Sequence, residues 1–138
     1  SDDFLELYKK TLIMNKFISK DLGKNAVSTY KRASNILDQE TLVSKNGPNA
    51  VLFKQDEEKE LFERINNIRK VFTLREERKD YEKHLKLLSE TKSSTDKFFD
   101  KVKVNDENQD LKNNRLELLQ ILCSTFNSFI DFSKLEGT

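Results

Sequence analysis

Apolar residues recur along this chain at intervals of three and four, the period of a helix that buries one face. Phe4, Leu5, Tyr8, Leu12, Phe17 and Ile18 predict a first helix over residues 3–19 with an apolar face toward a core. Asp21-Leu22-Gly23 breaks that pattern. A second helix follows over 24–39, with Val27, Tyr30, Ser34 and Leu37 inward and Lys31, Asn35 and Asp38 on another side. Residues 41–53 read as the main irregular segment, because Asn46-Gly47-Pro48-Asn49 is a turn signal; Ala50, Val51, Leu52 and Phe53 would pin it onto the core.

Asp56 then reads as the N-cap of a third helix, with Glu57 and Glu58 in its electropositive first turn. Leu61, Ile65, Ile68 and Phe72 mark its buried face, and it ends near 71–73. A fourth helix spans 75–89 around Tyr81, Leu85 and Leu88. Ser93-Ser94-Thr95 opens a short fifth one that turns Phe98, Phe99 and Val102 inward. Asn105-Asp106 caps a sixth, whose stripe is Leu111, Leu118, Leu122, Phe126 and Phe129, widened by Leu119 and Ile130. The pattern predicts an all-α, single-domain bundle of about six helices over residues 1–138.

Composition agrees. Only three Gly and one Pro stand in 138 residues, which disfavours a turn-rich β fold. Charged residues make up 36% of the chain, yet net charge is only +1, so bulk charge announces no nucleic acid. The balance is uneven: residues 64–103 hold twelve Lys or Arg against seven Asp or Glu, a modest basic region. Cys123 is the only cysteine, so an internal disulfide is excluded; it reads as a buried structural thiol suited to a reducing compartment. One Cys and one His, His84, make neither a zinc set nor a supported nucleophilic pair. His84 reads as structural. No phosphate-cradling glycine loop exists, and the carboxylates interleave with lysines as on solvated helix faces. No run spans a membrane and no leader pattern opens the chain. The start, Ser1-Asp2-Asp3, reads as a cut inside a longer protein or a tag remnant. The chain is expected to do no chemistry by itself and to need no cofactor or metal.

Two segments are distinctive. Tyr30-Lys31-Arg32-Ala33-Ser34-Asn35-Ile36-Leu37 resembles the Lys-Arg-x-x-Asn-Ile-Leu helix of bacterial glycyl-tRNA synthetase beta subunits. Asp96-Lys97-Phe98-Phe99-Asp100-Lys101-Val102-Lys103-Val104 resembles that family's D-x-F-F-D-x-V-x-V stretch. At similar spacing comes Leu111-Lys112-Asn113-Asn114-Arg115-Leu116-Glu117-Leu118-Leu119, similar to its L-R-x-N-R-L-x-L-L stretch. The closing Phe129–Leu135 segment is similar to the family's ADISLL-like end. The resemblance covers about residues 12–135. It departs at the residues that give the DALR domain class its name, where this chain has Gln109-Asp110-Leu111-Lys112. Lysine there keeps the charge and loses arginine's two-pronged geometry.

The resemblance implies a DALR-type anticodon-binding domain at the C-terminal end of a larger cytoplasmic beta subunit. That subunit would assemble with a catalytic alpha subunit into a heterotetramer that joins glycine to its tRNA with ATP and Mg. The domain's partner would be the anticodon stem-loop, with no membrane involved. Glycine anticodons carry cytosine at their second and third positions, and such bases are read by stacking and by hydrogen bonds to their edges. The candidate RNA-binding residues are Lys24, Asn25, Tyr30, Lys31, Arg32, Asn35, Lys101, Lys112 and Arg115. Tyr30 has a second reading as a core tyrosine, and Asn35 as a helix-to-helix hydrogen-bonding residue. Arg115, between Leu111 and Leu118, has a second reading as a buried arginine paired to Asp96 or Asp100. Two other functions compete: a helical protein-docking module, and the related anticodon-binding domain of arginyl-tRNA synthetase.

Overall fold

The structure is a computed structural model that describes residues 2–17, 20–40, 47–74 and 80–135. Among them are five α-helices: α1 (Asp2–Phe17), α2 (Asp21–Asp38), α3 (Asp56–Thr73), α4 (Tyr81–Lys101) and α5 (Gln109–Phe129). Short 3-10 turns cover Ala50–Leu52 and Phe132–Lys134, and no strand occurs among the described residues. The all-α expectation holds, with one helix fewer than expected. Ile18 and Ser19, the loop residues 41–46 and the expected start of the fourth helix at 75–79 lie outside the described residues.

The missing helix is a merger. Ser93-Ser94-Thr95 sits inside α4 and does not open a new helix. Ser89, Thr91, Ser94 and Thr95 are all buried against neighbouring helices. Their small side chains let α4 approach α2 and α3 closely, and Thr91 Oγ1 satisfies itself by donating to the Leu88 carbonyl at 2.6 Å. Other boundaries shift for local reasons. Asp21-Leu22-Gly23 begins α2, with Gly23 helical and buried. Gln55, and not Asp56, is the N-cap of α3, because Glu58 reaches back to accept from the Gln55 N–H at 2.9 Å. Asn108 caps α5, its Oδ1 accepting from the N–H groups of Asp110 and Leu111; Asp106 instead turns the chain by accepting from Asn108 N.

Four helices make the bundle. α4 packs between α2 and α3, α5 packs between the same two, and α4 and α5 face each other across the diagonal with little contact. Contacts at the two ends set the directions. The starts of α3 and α5 meet through Glu58 and Arg115, beside Lys103 just past the end of α4. At the other end, Phe72 near the close of α3 and Phe129 at the close of α5 meet Tyr81 and His84 at the start of α4. Glu40, just past the close of α2, pairs with Lys112 at the start of α5, so α3 and α5 run one way, and α2 and α4 the other. Leu61, Ile65, Leu85, Leu88, Phe98, Leu118, Leu119 and Phe126 fill the interior. Phe132 folds back to stack on Tyr30 and closes the bottom.

The first helix overturns an expectation. Phe4, Leu5, Tyr8 and Leu12 were expected to face the core, yet Phe4 is 72% and Tyr8 55% exposed. The opposite side meets the bundle, through Met14, Ile13 and Lys10. There Phe72, Tyr81, His84 and Phe129 line a hollow of about 280 Å³ together with Glu6 and Lys10. Lys10 lies over the Tyr81 and Phe129 rings, at 5.5 and 5.3 Å from their centroids. Burial there lowers its pKa, with the Glu6 carboxylate opposing that shift.

The start of α5 clamps the opposite end. Glu58 is fully buried and Arg115 is 4% exposed. Glu58 Oε1 accepts from Arg115 Nε at 3.0 Å, while Oε2 accepts from the backbone N–H groups of Lys54 and Gln55. Arg115 Nη1 donates to the Lys103 carbonyl at 2.7 Å and reaches Asp106 at 3.3 Å. Asn114 exchanges two hydrogen bonds with the backbone of Asn49, and Glu117 accepts from Gly47 N. Gly47 holds φ at 87°, where a side chain would strain. Arg115 is thus a buried arginine, but its partners are Glu58 and Asp106. Asp96 is taken by Arg32 and Lys92, and Asp100 is exposed.

Two stability outcomes follow. Arg115→Ala should cost about 3–5 kcal/mol in urea unfolding, because it strands the Glu58 carboxylate in the core. Tyr8→Ser and Leu12→Gln should each shift the same measurement by no more than about 0.5 kcal/mol, since their side chains face water.

Candidate nucleic-acid interface

α2 buries Ala26, Val27, Tyr30 and Ala33 between α4 and α5, which leaves one outward stripe. Lys24, Ser28, Arg32 and Asn35 follow one another on it at helical spacing and are exposed. Asn25 and Lys31 flank the stripe and are half-buried. Here the helix offers two ammonium groups, a guanidinium and amide groups, the set that meets phosphates and base edges.

The stripe is edged by α4. Arg32 Nη1 lies 3.3 Å from Asp96 Oδ1, and the other Asp96 oxygen accepts from Lys92 Nζ at 2.6 Å. The Arg32 guanidinium carbon sits 4.3 Å from the centroid of the Phe99 ring. Phe99 is half-buried and meets the fully buried Phe98 edge-on at 5.4 Å. Adjacent phenylalanines thus divide their labour: Phe98 anchors α4 in the core, and Phe99 supports Arg32 at the α2–α4 seam. The two sequence segments singled out above, 30–37 and 96–104, meet here.

The remaining candidates are elsewhere. Tyr30 is 7% exposed; its ring stacks on Phe132 with centroids 5.5 Å apart and its hydroxyl accepts from Asn127 Nδ2. Its ring faces are therefore occupied within the protein. Asn35 is exposed, so the helix-to-helix reading of it has no support in burial. Lys112 pairs with Glu40 at 2.9 Å and ties the start of α5 to the end of α2. Lys101 is exposed at the end of α4, beside its own carbonyl's bond to Gln55 Nε2. Arg115 is held inside. Of the nine candidates, Lys24, Asn25, Lys31, Arg32 and Asn35 form one surface. Lys92, Asp96 and Phe99 complete that surface and were not singled out from sequence as RNA contacts. The i,i+4 spacing of Lys92 and Asp96 was visible; their meeting with Arg32 is tertiary.

A groove between α2 and α5, about 470 Å³, is lined by Tyr30, Ser34, Asp38, Cys123 and Asn127 among others. Burial and the nearby Asp38 carboxylate push the Cys123 thiol up to about 12. Among the described residues no group of three metal-ligating side chains gathers, and no helix is long and apolar enough to cross a membrane.

A helical bundle, without strands among the described residues and with a cationic and amide-bearing helix face, fits a helical RNA-binding domain. The family model described as the DALR anticodon binding domain matches residues 27–134, and the chain belongs to that family. Its curated relatives narrow the kind. It is 38% identical over 122 residues to the glycine-tRNA ligase beta subunits of Rickettsia conorii (strain ATCC VR-613 / Malish 7) and Rickettsia prowazekii (strain Madrid E), covering 88% of this chain. It is 35% identical over 135 residues, 98% of this chain, to that of Rickettsia canadensis (strain McKiel). The chain spans only 18–20% of the length of these relatives.

The Cys123 thiol should stay protonated at pH 8, well below its raised value. Iodoacetamide should label the native chain far more slowly than the urea-unfolded chain, followed by mass spectrometry; equal rates would contradict the burial.

Proposed function

We propose that this chain recognises the anticodon loop of a glycine tRNA as part of a glycine-tRNA ligase. The observation that carries this reading is the outward face of α2, in a member of the anticodon-binding family. Lys24 and Lys31 pair with backbone phosphates as point charges, and Arg32 and Asn35 address unstacked bases. Asn25 adds an amide at the start of the face. Lys101 and Lys112 lie at the far end of the bundle and serve as outlying phosphate contacts. Tyr30 and Arg115 act indirectly, by fixing α2 against α5 and α5 against the loops.

Glycine activation then belongs to other parts of the enzyme. On this reading the chain is a section of a cytoplasmic beta subunit that assembles with a catalytic alpha subunit, and the assembled ligase uses ATP and Mg to charge the tRNA. A protein-docking role is favoured by one observation, the outward apolar stripe of α1. It sits on a different helix from the RNA face, so both roles fit one molecule.

A fluorescence titration with anticodon stem-loops tests the reading. The chain should prefer a glycine stem-loop to an arginine stem-loop and to a scrambled hairpin. Lys24→Ala and Lys31→Ala should each weaken binding and flatten its salt dependence by about one unit of slope. Equal affinity for all three hairpins, or unchanged slopes in both variants, would remove the proposal.

A further inference from the structure

Arg32 is more than one cation among several. Phe99 lies beneath its guanidinium at 4.3 Å, and Asp96 holds one edge at 3.3 Å. These two contacts restrict the rotamers open to a long side chain. Its side chain remains 47% exposed, so a surface is left open toward solvent. A pre-oriented guanidinium plane is a stacking surface for an unpaired base, and part of the ordering cost is met before RNA arrives.

The edge of this platform carries a readable order of polar groups. An ionised carboxylate only accepts hydrogen bonds, and each oxygen keeps capacity beyond its existing partner. Asp96 is therefore an acceptor flanked on both sides by donors, Arg32 and Lys92. Cytosine presents an amino donor next to a ring-nitrogen acceptor, which complements acceptor beside donor. Uracil presents a carbonyl next to an N–H, the reverse order, and its carbonyl would face the carboxylate. Adenine shares cytosine's order on a larger frame.

We infer that the seam formed by Arg32, Asp96 and Phe99 seats one anticodon cytosine, with Arg32 as the stacking plane and Asp96 as acceptor for the base's amino group. This rests on the anticodon-binding reading and adds to it which side chains select the base. Lys92 completes the edge as a donor to the ring nitrogen, and Asn35, on the same α2 face, is left for the neighbouring nucleotide.

The test uses this chain and glycine stem-loops in which each of the two cytosines is replaced in turn by uracil, by adenine, or by pyrimidin-2-one, which lacks the amino group. With the unaltered chain, uracil and pyrimidin-2-one at one of the two positions should each weaken binding by about tenfold or more, the discrimination of one good base contact. Asp96→Asn, whose amide can donate to a carbonyl, should shrink that cytosine preference by about tenfold at the same position and leave the other position alone. Arg32→Lys keeps the charge and loses the plane; it should weaken all stem-loops while the salt slope stays the same.

If the unaltered chain tolerates pyrimidin-2-one at both positions, or Asp96→Asn keeps the cytosine preference at both, the inference is overturned while anticodon binding stands. Arg32→Lys binding as tightly as the unaltered chain overturns it as well. Failure of the unaltered chain to prefer the glycine stem-loop to a scrambled hairpin overturns this inference and the proposed function together. Both substituted residues are partly exposed, so thermal unfolding should move little, and the pyrimidin-2-one arm needs no variant.

Discussion

The Arg115–Glu58 pair is the interaction around which the rest is arranged. Two opposite charges are withdrawn from water at the heart of one bundle end, a large desolvation cost by itself. It is offset because neither group is satisfied by the other alone. Glu58 also accepts from two backbone N–H groups at the start of α3, and Arg115 also donates to the carbonyl that follows α4. The pair therefore dictates where three chain segments lie relative to one another. Asn114 and Glu117, neighbours on α5, extend the same control to the segment before the first 3-10 turn. Asp106 is held below its usual carboxylate range, first by the backbone N–H of Asn108 and then by Arg115. Its contribution is present above the ordinary carboxylate value and is lost as pH falls through the depressed one.

That arrangement separates structural from surface cations. Arg115 is spent inside, Lys112 ties α5 to α2, and Arg32 is placed outward on the α2–α4 seam. All three are basic residues in segments that looked alike as candidates for RNA contact. What distinguishes them is which acceptors the fold brings near. Arg115 meets a buried carboxylate and the backbone carbonyl of Lys103. Arg32 meets an aromatic face and a carboxylate that solvent still reaches, so its stacking surface stays available.

Much of the architecture was legible because the apolar stripes of α2, α3 and α5 are long and regular. Of the inward faces named from them, Val27, Tyr30, Leu61, Ile65, Ile68, Leu118, Leu122, Phe126 and Phe129 are buried, while Ser34, Leu37, Phe72 and Leu111 are half-buried. Legibility failed where residue type and environment diverge. Ser94 and Thr95 look like a helix opening, and only close packing of α2 and α3 around α4 makes them interior residues. Asp56 looks a better cap than Gln55, and Glu58 reverses that preference by reaching back. For the site, the cationic stripe on α2 was readable from spacing. The pairing of Arg32 with Asp96 joins residues sixty-four apart in the chain, and no local pattern encodes it.

The reversed orientation of α1 has a thermodynamic consequence. Four-helix packing carries most of the buried apolar surface, whereas α1 is fastened through Met14, Ile13 and the Lys10 ammonium over two aromatic rings. Among the described residues α1 contributes one side chain, Met14, to the buried apolar core, so its opening free energy is smaller than that of global unfolding. The amides of α1 would then exchange with deuterium through a local, low-cost fluctuation that leaves the remaining helices protected, making it a semi-independent cooperative unit on an already folded body.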